Sequence, residues 1–194
     1  MHRYCAHMPD HIQLDAEAVR VLAHPLRSRL LSALRLHGPA TATDLADRLD
    51  TNTGATSYHL RKLESVGLVA DTGDGEGKRR LWEAASRSHG CRTSDFADDD
   101  DASTSLNWLT RDYVRTAADH MQRWYDVEHA WSAEWQDALG VSDDVMMITA
   151  AQAHALQEEL AAVLARYSEA GSDDPDARRI SVWYMMHPLH PDKP

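Results

Sequence analysis

Cysteine is scarce in this chain. Cys5 and Cys91 are the two among 194 residues and lie far apart, which excludes a disulfide-stapled scaffold and fits a reducing cytoplasm. No stretch approaches the roughly 20 apolar residues that span a bilayer, and the first residues lack the apolar run of a secretory leader. The expectation is a soluble, cytoplasmic protein with no membrane partner. Also missing are a nucleophile elbow, a phosphate loop and a paired-acid motif on any predicted element, so neither an enzyme nor a bound cofactor is expected.

Positive charge is lacking overall, with a net −11 that looks wrong for a protein that meets nucleic acid. Its distribution changes that reading. From Asp15 to Ser86 ten Lys and Arg balance ten Asp and Glu, and Arg3 cancels Asp10, so the whole excess of −11 falls after residue 86. The segments Thr53 to Leu63 and Lys78 to Trp82 carry cations and no acids. An acidic remainder repels DNA and limits non-specific binding, while local cations still attract phosphate.

The stretch Thr51 to Leu68, TNTGATSYHLRKLESVGL, carries the strongest pattern. Thr56, Leu60 and Leu63 share one helical face, while Gly54, Ser57, Tyr58 and Arg61 share the other. Asn52 or Thr53 can cap the start, and Gly67 can take the left-handed conformation that ends a helix. Two short β-like runs follow, Leu68-Val69-Ala70 and Lys78 to Ala84, around a loop with Gly73, Gly75 and Gly77, which is a hairpin signal. Three consecutive cations, Lys78, Arg79 and Arg80, open the second run, where they suit phosphate or minor-groove contact.

Upstream, Asp15 can cap a helix through Val21-Leu22-Ala23, and Pro25 suits the first turn of the next. Leu26, Leu30, Leu31, Leu34 and Leu36 form its apolar stripe before Gly38-Pro39. Thr43 is expected to start a further short helix with Leu45, Ala46 and Leu49 inward. Two short helices across a tight polar turn, with a basic hairpin behind them, make a winged helix-turn-helix.

The blocks VLAHPLRSRLLSAL, TATDLADRL, GATSYHLRKLESVGLV and KRRLWE together resemble the winged helix-turn-helix domain of ArsR-type bacterial transcriptional regulators. The resemblance covers about residues 15–86, less than half of the chain. It implies that the helix bearing Thr53, Gly54, Ser57, Tyr58, His59 and Arg61 enters the major groove. Thr53, Ser57, Tyr58 and Arg61 would then meet base edges, and His59, Lys62, Lys78, Arg79 and Arg80 the backbone. It further implies a homodimer on a pseudo-palindromic double-stranded operator, acting as a repressor, with half-sites about one DNA turn apart. The metal site that many such proteins build from cysteines on the helix before the reader has no counterpart here, because Thr43 to Leu49 holds none.

The rest of the chain reads less sharply. Residues 1–14 resemble a polar tail, and 87–104, with Asp98 to Asp101, an acidic linker. Residues 105–194 are expected to form a helical dimerisation and effector region that ends in a short strand. Leu106, Leu109, Tyr113, Ala117, Met121, Trp124, Trp131 and Trp135 suggest one long helix ending near Gly140. Thr149 and Gln152 fit a capping box for a second helix ending at Gly171, and Arg179 to Met186 reads as the strand. Aromatics concentrate here, and a small-molecule effector pocket would draw on His120, Trp124, Trp131 and Trp183. Two other readings stay open: a metal-responsive regulator using His2, Cys5, His7 and His11 or other scattered ligands, and a winged-helix module that binds protein.

Overall fold

The computed structural model describes residues 11–75, 77, 79–168, 170–171 and 173–190. His2, Cys5, His7 and Lys78 lie outside them. By contact density the chain divides into two units, residues 1–116 and 117–194.

The first unit is built on four helices, each started by the local chemistry of its cap. The Asp15 carboxylate accepts from the Ala18 N–H to open α1 (Ala16–Leu22). His24 accepts from Leu26 N–H through Nδ1 at 3.1 Å, and Pro25 sits in the first turn of α2 (Pro25–His37). Thr41 and Asp44 form a reciprocal capping box on α3 (Ala42–Arg48), so that helix starts before Thr43, the expected first residue. Asn52 Oδ1 accepts from Ala55 N–H at 2.8 Å to start α4 (Thr53–Glu64), and Gly67 (φ 71°) turns the chain out of it. Val19, Leu22, Leu30, Leu45, Leu60, Leu63 and Leu68 are all at 0 % exposure, where the four helices meet.

Three antiparallel strands close the unit in the order β2 (Ala40–Thr41), β4 (Leu81–Ala84), β3 (Val69–Asp71). The β3–β4 pair is the expected wing, in register Val69 to Ala84 and Asp71 to Trp82. β2 was too short to read from sequence, although it positions the start of α3 beside the wing.

Residues 11–14 of the stretch read as tail, and the residues read as linker, are structured. His11–Gln13 form β1, parallel to β5 (Ser88–Gly90), and Leu14 behind it is buried. A 3-10 turn over Thr93–Phe96 buries Phe96, and α5 (Asp100–Val127) buries Ala102 in its first turn. The linker expectation fails because one aromatic and one alanine among the acids are enough to anchor 87–104 on the core.

A buried polar network ties α2 to β5 and α5. Arg35 Nε and Nη2 donate to the Ser86 carbonyl and hydroxyl, each at 3.0 Å. Its Nη1 donates to His89 Nδ1, and His89 Nε2 meets the Tyr113 hydroxyl at 2.5 Å. A guanidinium can only donate, so His89 carries its proton on Nε2 and donates it to Tyr113. Burial, then Arg35, then His11 hold the His89 imidazole down to about 3, and burial lowers Arg35 to about 10.

The second unit contains the C-terminal part of α5, a 3-10 turn at Glu128–Ala130, α6 (Ala133–Ala138) and α7 (Ala150–Tyr167). The single long helix expected from Leu106 to Trp135 is therefore longer at its start and broken at Val127. Its apolar spacing continues past the break because Trp124, Trp131 and Trp135 pack edge to face, at 5.5 and 6.0 Å between ring centroids, without sharing a helix. α7 starts on the expected Thr149–Gln152 capping box. The strand expected over Arg179–Met186 is not formed: these described residues pair with no strand, and Ile180 and Val182 are exposed. β-branched residues favour a strand only where a ladder partner and a half-buried face exist.

Candidate nucleic-acid interface

The outer surface of α4 divides into rows set by its own periodicity. Thr56, Leu60 and Leu63 face the core, and the Thr56 hydroxyl is satisfied by the Asn52 carbonyl at 3.0 Å. Thr53, Ser57 and Arg61, spaced by four, form a row toward the wing. Gly54, Tyr58 and Lys62 form the outermost ridge; all three are exposed, Tyr58 at 53 %. His59 lies on the remaining side and is half-buried.

The wing-side row borders a cleft of about 430 Å³. Its walls bring the hydroxyls of Thr41, Thr43, Thr53 and Ser57 together with Arg61, Arg79 and Arg80, over Trp82. The Thr41 hydroxyl donates to the Asp44 carboxylate at 2.8 Å; the other hydroxyls and the guanidiniums of this concave face are donors suited to phosphate and base edges. The three arginines are not equivalent. Arg80 pairs with Glu64 at 3.4 Å and Asp71 at 3.3 Å and lies 5.5 Å over the Trp82 ring, so its charge is already shared. Arg61 and Arg79 are exposed. The Asp44 carboxyl is held below its usual range first by the Thr41 hydroxyl, then by the Thr41 N–H, with Arg48 and Arg79 adding to this.

The wing closes tightly. A Cβ at Gly75 would lie 1.9 Å from the Arg79 carbonyl oxygen, a backbone atom that cannot step aside cheaply. Gly54, in the first turn of α4, would put a Cβ 3.3 Å from the capping oxygen of Asn52. Glycine there leaves the cap undisturbed.

His59 does not join the outer ridge. Its ring stacks at 4.4 Å on His24, meets Tyr58 edge-on at 5.1 Å, and lies 3.5 Å from Arg27 Nη1 through Nδ1. Sequence reasoning missed His24 and Arg27, because their meeting with His59 depends on how α2 packs against α4.

The sequence-predicted effector residues all belong to the second unit. Trp124 and Trp131 are in contact, as are His120 and Trp183 at 6.4 Å. Trp124 Nε1 is the one buried side-chain polar atom without a partner among the described residues. Burial, then Arg123, lowers the His120 imidazole, with Asp119 opposing. Among the described residues no three His, Cys, Asp or Glu side chains converge as a metal site, and no helix is long and apolar enough to cross a membrane.

Four helices, a tight turn before an exposed helix, and a basic two-stranded wing define a winged helix-turn-helix domain. Residues 22–72 match the family described as a helix-turn-helix domain. Over 67 residues the chain is 40% identical to the HTH-type transcriptional regulator NmtR of Mycobacterium tuberculosis, covering 34% of this chain and 53% of that protein. The chain thus spans about half the length of this relative. Among solved structures, reduced HlyU from Vibrio cholerae matches over 50% of this chain and 90% of its own, at 24% identity and a TM-score of 0.32.

Proposed function

We propose that this protein is a sequence-specific DNA-binding transcriptional regulator of the cytoplasm, a homodimeric repressor whose affinity for its operator is set through residues 105–194. The observation that carries the reading is the row Thr53, Ser57, Arg61 on α4 opening onto the cleft shared with Arg79. In this reading α4 lies in the major groove. Thr53, Ser57, Tyr58 and Arg61 meet base edges, and Gly54 lets the backbone come close. Lys62, Lys78 and Arg79 meet phosphates, whereas Arg80 chiefly fixes the wing to α4 through Glu64 and Asp71.

A two-fold dimer presents two such helices to a pseudo-palindromic site. The half-buried apolar row of α7 (Ala153, Leu156, Leu160 and Leu164) and exposed Tyr125 and Val127 on α5 supply surface for pairing. An effector would act by binding one arrangement of the two reading heads better than the other. His120, Trp124, Trp131 and Trp183 are the candidate wall, and the unpaired Trp124 Nε1 is a donor that a ligand acceptor would satisfy.

The test is selection of genomic fragments by the full-length protein, followed by sedimentation of the protein alone and with the selected duplex. Recovery of one inverted-repeat motif bound by two chains is expected. Fragments with no shared motif, or a single chain per site, would sink the reading.

A further inference from the structure

Three groups that the recognition row does not use converge on the other flank of α4. His24 Nδ1 is occupied as acceptor of the Leu26 N–H, which leaves its proton on Nε2. His59 Nδ1 faces Arg27 Nη1 and is likewise the acceptor, which puts its proton on Nε2 as well. Arg27 Nε donates to the Val21 carbonyl, and its Nη2 has no partner among the described residues. The two rings touch, with centroids 4.4 Å apart. None of the three free donors is among the orphaned buried atoms, so each reaches solvent. Among the charged groups felt by His24, Arg27 and His59 are each other and Tyr58, and no carboxylate.

A cation with two neutral N–H donors beside it and no acid to satisfy them is built for an oxyanion. Position on the helix says which one. The row Thr53, Ser57, Arg61 opens on the wing cleft, whereas His59 lies on the side toward α2. A major groove about 12 Å wide is nearly filled by a helix about 10–12 Å across, so both flanks of a helix in the groove meet a sugar-phosphate backbone. We propose that His24, Arg27 and His59 form a second phosphate-binding site, which grips the DNA strand on the side of α4 opposite the wing. Together with Arg79 across the helix it fixes how α4 is rotated in the groove. This rests on the reading of α4 as the DNA-reading helix.

The experiment measures fluorescence anisotropy of the full-length protein on one mixed-sequence duplex over a potassium chloride series. Arg27→Gln removes one phosphate-bound charge, so its affinity should fall about tenfold at low salt and its log–log salt slope should shrink by about one. His24→Asn keeps a capping oxygen for α2 but loses the Nε2 donor. It should lose affinity about threefold with the wild-type slope retained. Circular dichroism melts of both variants confirm that the helices persist. Wild-type affinity and slope in both folded variants would overturn this site and leave the DNA reading standing. A wild-type protein that binds no duplex would overturn both.

Discussion

Arg35 donates to His89 Nδ1 in the interior of the first unit, and thereby fixes the imidazole as a neutral donor to Tyr113. The three residues come from α2, β5 and α5, so one proton position joins the winged domain to the helix that leads out of it. Protonating His89 would place two N–H donors face to face.

That arrangement gives the protein a defined acid sensitivity. The His89 value is lowered from 6.5 to about 3, so the unfolded chain binds the extra proton first as pH falls. The contribution to stability is complete above 6.5 and is lost progressively between 6.5 and about 3, by about 1.4 kcal/mol per unit. His24 and His59, also lowered by burial, act in the same direction. Urea denaturation at about pH 7.5 and about pH 5.5 should show a drop for the wild type. His89→Gln, which keeps an acceptor for Arg35 but cannot titrate, should show a smaller one, and equal drops would contradict the network.

Leu60→Ala should be costly. Leu60 is at 0 % exposure among helices that meet around it. Losing its side chain should lower unfolding stability by about 2–5 kcal/mol. A loss below about 2 kcal/mol in urea unfolding would contradict tight packing around Leu60.

Asn52→Ala removes the oxygen that caps α4. Stability should fall by about 1 kcal/mol, and because the first turn of the reading helix frays, affinity for a selected duplex should fall as well. Retained affinity in the folded variant would show that Thr53 and Gly54 are not held for contact.

Gly75→Ala should disturb the wing without unfolding the domain. The new Cβ meets the Arg79 carbonyl at 1.9 Å, so the loop must reopen and carry Arg79 away from the cleft. Binding to all duplexes should weaken together while the melting midpoint moves little. A variant with unaltered binding would remove the wing from the interface.

What the sequence made legible follows from local rules. Thr56, Leu60 and Leu63 were identifiable as core because helical spacing leaves them no other face. Thr149 with Gln152 marked a helix start, as did Asp15 and Asn52, because each offers an oxygen to an otherwise unpaired N–H. The misses involve partners distant in sequence. His11–Gln13 form a strand only because Ser88–Gly90 lie beside them, a pairing that one isoleucine between two polar residues does not announce. His59 read as a phosphate contact, but its packing against the His24 ring, a partner 35 residues away, was not legible. Arg80 read as a backbone contact, and its ion pairs with Glu64 and Asp71 were not legible. Arg179–Met186 had strand composition but no edge to join.

The central claim is that α4 reads bases while the wing holds backbone, and comparing Arg61→Ala with Arg79→Ala tests it most directly. Each variant is titrated against the selected operator and against an unrelated duplex at one salt concentration. Arg61→Ala should lose about 1–3 kcal/mol on the operator and little on the unrelated duplex, so the specificity ratio collapses. Arg79→Ala should weaken both about equally and preserve the ratio. An unchanged ratio for Arg61→Ala, with operator affinity at the wild-type level, would contradict the account.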